Sequence, residues 1–425
     1  MSVIEPAVTE KYPKWMSREQ LAWTVLLVAF ATFLVLAVTV PLSANWYLHN
    51  ASVAPRASIQ GTRGTTSVKE PNARSAPVAV VAGREEVIVE GSELRTDDSQ
   101  ALVSFFDRST LTIFPNSAIT LKAMREPRFA RSNKASRIVI TVHNGRVRAQ
   151  VAPSTSREVE FEIQTPHALA PYGGIVLQPG SYAVETSNEM THVSVRSGEA
   201  SVSGQTGQKV TLESNERAQI ALGASAVGPL PAKRNLLLNS DFQLLETAVP
   251  ISDGPLVENW FVMSDQGGDG GDINGVVEVD VLGPSRALHF TRQGSNSNHG
   301  ETAVVQKLNK VVDDYRSLLL RFDVKIVGQS LSGGGERSSE FPIMIRIDYR
   351  DAYGGRQHWT QGFYSQNEAG FYVTNGIEVP KEVPYPFEVD LKEALDNPQI
   401  IESIKLYASG WDWESYISEV ELIAE

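Results

Sequence analysis

Residues 317–327 read SLLLRFDVKIV, and their alternation decides the fold class. Leu318, Leu320, Phe322, Val324 and Ile326 point one way, while Arg321, Asp323 and Lys325 point the other. A period of two means a strand with one buried and one wet face. PIMIRIDYRD (342–351) repeats the pattern, with Ile343, Ile345, Ile347 and Tyr349 inward. Outward from these two strands, LNSDFQ (238–243) and ENWFV (258–262) open the segment, with Trp260 assigned to the core. SIKLYASGWD (403–412) and SYISEVELI (415–423) close it. One short helix is expected at DLKEAL (390–395), where Asp390 and Glu393 have capping-box spacing. The chain is therefore mostly β, and residues 235–425 are expected to form one β domain.

Strand signals also recur through residues 78–222, as in EVIVEG (86–91), ALVSFFD (101–107), RIVITVHNGRVRAQV (137–151) and THVSVRSGEASVSG (191–204). Asn144-Gly145 and Ser197-Gly198 each separate two alternating runs and predict hairpins. This is a second all-β domain. Residues 43–77 read as a linker blending into a first edge strand, and residues 223–234, rich in Gly, Ala and Pro, as a short flexible joint.

From Leu21 to Val40 the chain reads LAWTVLLVAFATFLVLAVTV, with no ionisable residue. About 20 apolar residues at 1.5 Å each match a hydrocarbon core of roughly 30 Å. Trp15 and Trp23 lie at one end, Trp46 and Tyr47 at the other. Lys11, Lys14 and Arg18 precede the span and the first Lys or Arg after it is Arg56. The expectation is one transmembrane helix over 21–42 in the plasma membrane, with residues 1–20 as a cytoplasmic tail and the rest outside. A cleaved signal peptide fits less well, because the apolar run is long and Leu42-Ser43-Ala44 lacks a small first residue.

The net charge of −12 argues against a general nucleic-acid binder. From Asn235 onward 30 acidic side chains face 14 basic ones, whereas the chain before it is slightly basic. With no cysteine, disulfides, thiolate zinc sites and a cysteine nucleophile are all excluded. H-E-x-x-H, G-x-S-x-G and a Walker-type loop are missing too, so no enzyme is expected.

The first β domain resembles the FecR domain of iron-dicitrate-type transmembrane regulators. The resemblance rests on EGSELRTDDSQALVSFFDRSTLTIFPNSAITL (90–121), HNGRVRAQV (143–151), FEIQTPHALAPYGG (161–174), PGSYAVET (179–186) and VSVRSGEASV (193–202). Gly91, Thr96, Asp107, Ser109, Thr165 and Pro166 occupy the pattern's places, and its Gly-Thr-x-Phe step appears as Gly180-Ser181-Tyr182. The opening NLLLNSDF (235–242) and the following Trp look like the start of a galactose-binding-type jelly roll, the architecture of many carbohydrate-binding modules. The first resemblance implies an envelope sensor that acts through one membrane helix on a sigma factor. The second implies a tether or scaffold that binds envelope polysaccharide or protein. Residues 1–20 are too short to fold alone as an anti-sigma domain, but suit a linear peptide with Tyr12 and Trp15 as anchors.

Four aromatics are the ligand-binding candidates: Trp411, Trp413, Trp359 and Tyr364, since sugar rings stack on exposed aromatic faces. Core packing is the competing reading for each. Alternation through Trp411-Asp412-Trp413 places both Trp on one face. SDQGGDGGDING (264–275) offers Asp265, Asp269, Asp272 and Asn274 as oxygen ligands for a structural calcium, against a plain solvated loop. No other cofactor is expected. Arg321, Asp323 and Lys325 together with Arg346, Asp348 and Arg350 are read either as a shared polar groove or as cross-strand ion pairs. Arg125, Arg128, Arg131, Lys134 and Arg137 form a basic stretch, suited to anionic lipid or wall polymer or simply to water.

Overall fold

A computed structural model describes residues 18–71, 76–154, 157–169, 173–242, 249–265, 273–283 and 285–425. Residues 1–17, with Tyr12 and Trp15, and the loop carrying Asp269 and Asp272 lie outside them. The apolar segment is one helix, Arg18–Asn50, longer at both ends than the apolar run requires. Its apolar side chains, from Trp23 to Trp46, are exposed on every side, as a bilayer-facing helix demands.

Residues 57–231 form two β layers packed face to face. One layer runs through Glu85–Ile88, Ala57–Arg63, Gln100–Ser104, Thr110–Ile113, residues 145–151, Gly180–Thr186, Met190–Ser197 and Glu216–Ala221. The other runs through Val78–Val81, Thr65–Lys69, Glu93–Thr96, Ser117–Pro127, residues 136–144, Val159–Gln164, Gly174–Leu177, Ala200–Ser203 and Lys209–Leu212. The long strand Ser136–Val151 belongs to both layers and closes them into a flattened barrel. Between the layers lies a continuous core that includes Ile59, Leu94, Ile140, Val147, Phe161 and Val193.

Neither expected hairpin forms. Asn144-Gly145 is the point where Ser136–Val151 leaves one layer for the other without turning back. Gly145 has φ +94°, and a Cβ there would stand 2.5 Å from Ser117 Cα. At Ser197-Gly198 the chain likewise crosses between layers, since Met190–Ser197 pairs with Gly180–Thr186 while Ala200–Ser203 pairs with Gly174–Leu177. Gly198 has φ +92° and abuts Pro179 O at 2.5 Å from its would-be Cβ. A two-residue turn signal specifies a positive φ, and a corner between layers uses it as well as a hairpin does.

The linker readings also need correction. Ala57–Arg63 is an interior strand, bonded on both sides, and Thr65–Lys69 pairs with two neighbours in the other layer. Of the supposed flexible joint, Val227–Pro231 pairs with Glu216–Ala221 and Arg234-Asn235 with the last strand of the chain.

Residues 234–425 form a β-sandwich. One sheet runs Val276–Leu282, Ser285–Arg292, Trp413–Ala424, Leu318–Gln329, Tyr385–Asp390. The facing sheet runs Gly254–Val257, Trp260–Asp265, Gly300–Val311, Pro398–Gly410, Ile343–Asp351, Arg356–Tyr364, Gly376–Glu378. The inward residues expected from alternation, Leu318 to Ile326 and Ile343 to Tyr349, are all buried, as is Trp260. The expected helix is Leu391–Ala394, capped by Asp390 Oδ1, which accepts from Lys392 N–H at 2.8 Å.

Candidate functional site

The outer face of the seven-stranded sheet divides into two halves. On one half, residues 330–342 and 365–375 fold over Phe341, Met344, Tyr364 and Tyr407, which make a small core of their own. Phe341 fills the space that Cβ atoms at Gly334, Gly362 and Gly376 would need. Tyr364 is therefore packing, not an exposed platform.

The other half is open. A concave cleft of about 560 Å³ lies over Lys307, Arg346, Asp348, Arg356, His358 and Glu402. The register explains the lining: Arg346 stands beside Lys405 and Thr360, and Asp348 beside Ser403 and His358, all on the outward side of the pleat. Arg346 Nε donates to Asp348 Oδ1 at 2.8 Å, and Ser403 Oγ donates to Asp348 Oδ2 at 3.0 Å. Arg350 pairs with Glu402 at 2.5 Å and with Asp98 of the first β domain at 3.0 Å. Cations outnumber carboxylates along this wall. Arg321, Asp323 and Lys325 do not share it. They stand on the outer face of the opposite sheet, where Arg321 pairs with Glu421 and Lys325 lies 5.6 Å above the Tyr416 ring.

The aromatic candidates separate by burial. Trp413 is in the main core, 3% exposed, beneath Gly275, whose would-be Cβ stands 2.6 Å from Trp413 Cζ2. Trp411 is half-buried and belongs to the bend between Pro398–Gly410 and Trp413–Ala424. Alternation does not run through a bend, so the two Trp do not share a face. Trp359 is half-buried at the rim of the main core, opposite Ile347. Asp265 is exposed at the end of its strand, beside Glu301. Among the described residues no cluster of three metal-ligating side chains occurs.

Sequence reasoning missed Arg292. It is 2% exposed, and its guanidinium donates to the carbonyls of Ile273 (3.0 Å), Asn298 (2.8 Å), Gly410 (2.8 Å) and Trp411 (3.0 Å). An arginine spent on backbone oxygens fixes the bend that presents Trp411. Burial lowers its pKa. Asp412 accepts from Ser295 N–H at 2.8 Å and closes the same bend.

A second missed site is the seam between the β domains. Arg146 Nη1 donates to Tyr315 OH at 2.8 Å and to Glu185 Oε2 at 3.0 Å, and its Nη2 to Asp314 Oδ2 at 2.9 Å. Arg148 donates to the same Asp314 oxygen at 2.7 Å, and Arg196 to the Asp314 carbonyl at 2.6 Å. Lys310 reaches Glu185 at 2.8 Å, while Arg234 contacts both Glu185 and Tyr315. Burial opposes the Arg146 charge, yet Tyr315, Asp314 and Glu185 hold Arg146 well above its ordinary pKa. Burial likewise opposes the Glu185 charge, and Arg234, Arg146 and Lys310 hold its carboxyl well below the usual range. Only the alternation of Arg146 and Arg148 on one strand face hinted at the network.

Residues 92–201 match the FecR protein family. Within the matched residues, Asp107 Oδ1 accepts from Ser109 N–H at 3.0 Å, and Thr96 Oγ1 donates to Phe114 O at 2.6 Å. No curated protein sequence matches the chain. Among solved structures, the family 11 carbohydrate-binding module of cellulosomal cellulase Lic26A-Cel5E of Clostridium thermocellum is 17% identical. It covers 42% of this chain and 95% of its own, with a TM-score of 0.25. TmCBM61, solved in complex with beta-1,4-galactotriose, is 15% identical over 45% of this chain and 99% of its own, with a TM-score of 0.24.

Proposed function

We propose that this protein is a membrane-anchored FecR-type envelope sensor. In this reading the helix Arg18–Asn50 holds both β domains outside the cytoplasm, and the jelly roll takes an anionic polysaccharide in the Arg346–Asp348 cleft. The cleft carries this reading: a polar concavity on one sheet of a sandwich, with Lys307, Arg346 and Arg356 to meet carboxylates and Asp348, His358 and Ser403 to meet hydroxyls. The seam around Arg146 supports transmission, because a ligand held by one domain then acts on the other as one body. Residues 1–20 would contact a sigma factor as a short peptide, weakly and through Trp15, because ordering a disordered chain costs entropy.

The test is a glycan array probed with the full chain in detergent, with neutral and uronate-bearing polymers side by side. Binding to the acidic polymers is expected with a dissociation constant around 10⁻⁴ to 10⁻³ M, because sugars surrender strong hydration on binding. Arg346→Ala should weaken it at least about tenfold, as loss of a charge-assisted hydrogen bond does. No binding by the wild-type chain across a broad array sinks the carbohydrate reading and leaves a protein ligand. For the tail, titration of the synthetic peptide against sigma factors decides, and binding unchanged by Trp15→Ala would refute the anchor.

A further inference from the structure

The basic stretch 125–137 does not project into open water. It is bound to the foot of the apolar helix. Tyr47 meets Phe129 edge to face with ring centroids 5.8 Å apart, and Arg128 Nη1 donates to Tyr47 OH at 3.3 Å. Ser132 Oγ donates to His49 O at 2.7 Å, and Arg128 N–H donates to Ala51 O at 2.9 Å. Directly after the helix, Ser52 and Val53 pair with Pro127 and Glu126. Five contacts of different kinds thus fix this hairpin end at the level of residues 47–53.

That level is set by the helix. Tyr47 lies seven residues beyond Val40, roughly 10 Å along the axis at 1.5 Å per residue, which is headgroup depth. The stretch holds five basic side chains and one acidic one, Glu126. Arg125 is neutralised by Glu90 and Arg137 by Glu162. Arg128, Arg131 and Lys134 are exposed, and among the described residues none of the three has a carboxylate at ion-pair distance. Three uncompensated cations held at headgroup depth suit a phosphate plane, and a cation near an anionic surface gains roughly five-fold in partitioning.

We infer that residues 125–137 form a headgroup-binding collar that seats the first β domain on anionic phospholipid. The inference rests on the helix Arg18–Asn50 spanning a bilayer, and it is independent of the polysaccharide reading. It makes the domain stand against the membrane instead of swinging from it, with the lipid charge as the second attachment.

The experiment compares the full chain in nanodiscs of phosphatidylcholine alone and of phosphatidylcholine with phosphatidylglycerol. Amide hydrogen exchange in the peptide covering 125–137 is expected to slow several-fold in the anionic discs, and high salt should remove the difference. The double variant Arg131→Gln/Lys134→Gln spares the contacts to Tyr47 and His49, so it should fold as wild type yet exchange alike in both lipids. Equal wild-type exchange in the two disc types overturns the collar while leaving the anchor standing. A chain that does not enter discs of either kind overturns the anchor, and the collar with it.

Discussion

The guanidinium of Arg146 and the carboxylate of Asp314 meet at 2.9 Å across the boundary between the two β domains, each side chain only 6% exposed. A buried ion pair gains little over an apolar contact of the same shape, but removing one partner strands the other charge. Here Asp314 would keep Arg148, and Glu185 would keep Arg234 and Lys310, but both would lose the most deeply buried cation they share. Arg146→Ala should therefore cost about 3–5 kcal/mol. Calorimetry should show the transition falling in temperature and the two β domains melting apart. A loss below about 1 kcal/mol would mean that water enters the seam and screens it.

Acid should act on this seam in two opposing ways. Burial and the neighbouring Asp314 charge raise the Asp313 carboxyl to about 6. Its contribution is full below the unfolded value of about 3.9 and is lost as pH rises through 6. Burial and Arg234 lower His192 to about 4, so its contribution is present above about 6.5 and is lost as pH falls through 4. Between pH 6 and 4 the two offset each other. Asp313→Asn removes one of them, and should stabilise the protein at pH 7 by roughly 1–3 kcal/mol. Denaturant titrations across this range should then show stability falling more steeply with acid than in wild type. An unchanged slope would place Asp313 in water.

Trp411 and Trp413 should behave as different kinds of residue. Trp413→Ala empties a core position and should cost about 3–5 kcal/mol. Trp411→Ala should cost less than about 1 kcal/mol, since a half-buried bend residue leaves no sealed cavity. Urea titration of the two single variants reads the contrast directly. Equal losses would show that the bend is as tightly packed as the core.

Gly145→Ala tests the crossing between layers. A methyl there meets Ser117, whose Oγ accepts from Arg146 N–H at 2.9 Å and donates to Arg146 O at 3.1 Å. The backbone must also hold φ +94° with a side chain attached. A loss of about 2–4 kcal/mol is expected in thermal melts. A hairpin-like turn, open to solvent, would absorb the same change with a far smaller loss.

The legible part of this chain was its periodicity. Leu318–Ile326 and Ile343–Tyr349 faced the core as their alternation required, and the uninterrupted run from Leu21 to Val40 was helix. Alternation states which side of a strand is dry and stops there. It cannot say which neighbour a strand takes, so the crossings at Gly145 and Gly198 read as hairpins and Ala57–Arg63, with Ile59 its one large apolar residue, read as linker. The cleft is legible only in part for the same reason: Arg346, Asp348 and Arg350 alternate along one strand, but His358 and Ser403 join them only through register. Trp411 and Trp413 were misjudged because the strand ended between them, and Arg292 because a charge serving carbonyls leaves no partner in the sequence.

Trp413–Ala424 sits in the middle of its sheet, between Ser285–Arg292 and Leu318–Gln329, and also pairs with Arg234-Asn235. The strand that completes the sandwich is thus made some 180 residues after the first one it binds. During synthesis, Leu318–Gln329 and Ser285–Arg292 must each wait with one open edge, and their sheet stays divided until residues 413–424 are made. Contacts so distant in sequence fold slowly, and waiting edges invite aggregation. The jelly roll is therefore committed to one late folding step, and until then its two waiting strands need protection from other chains.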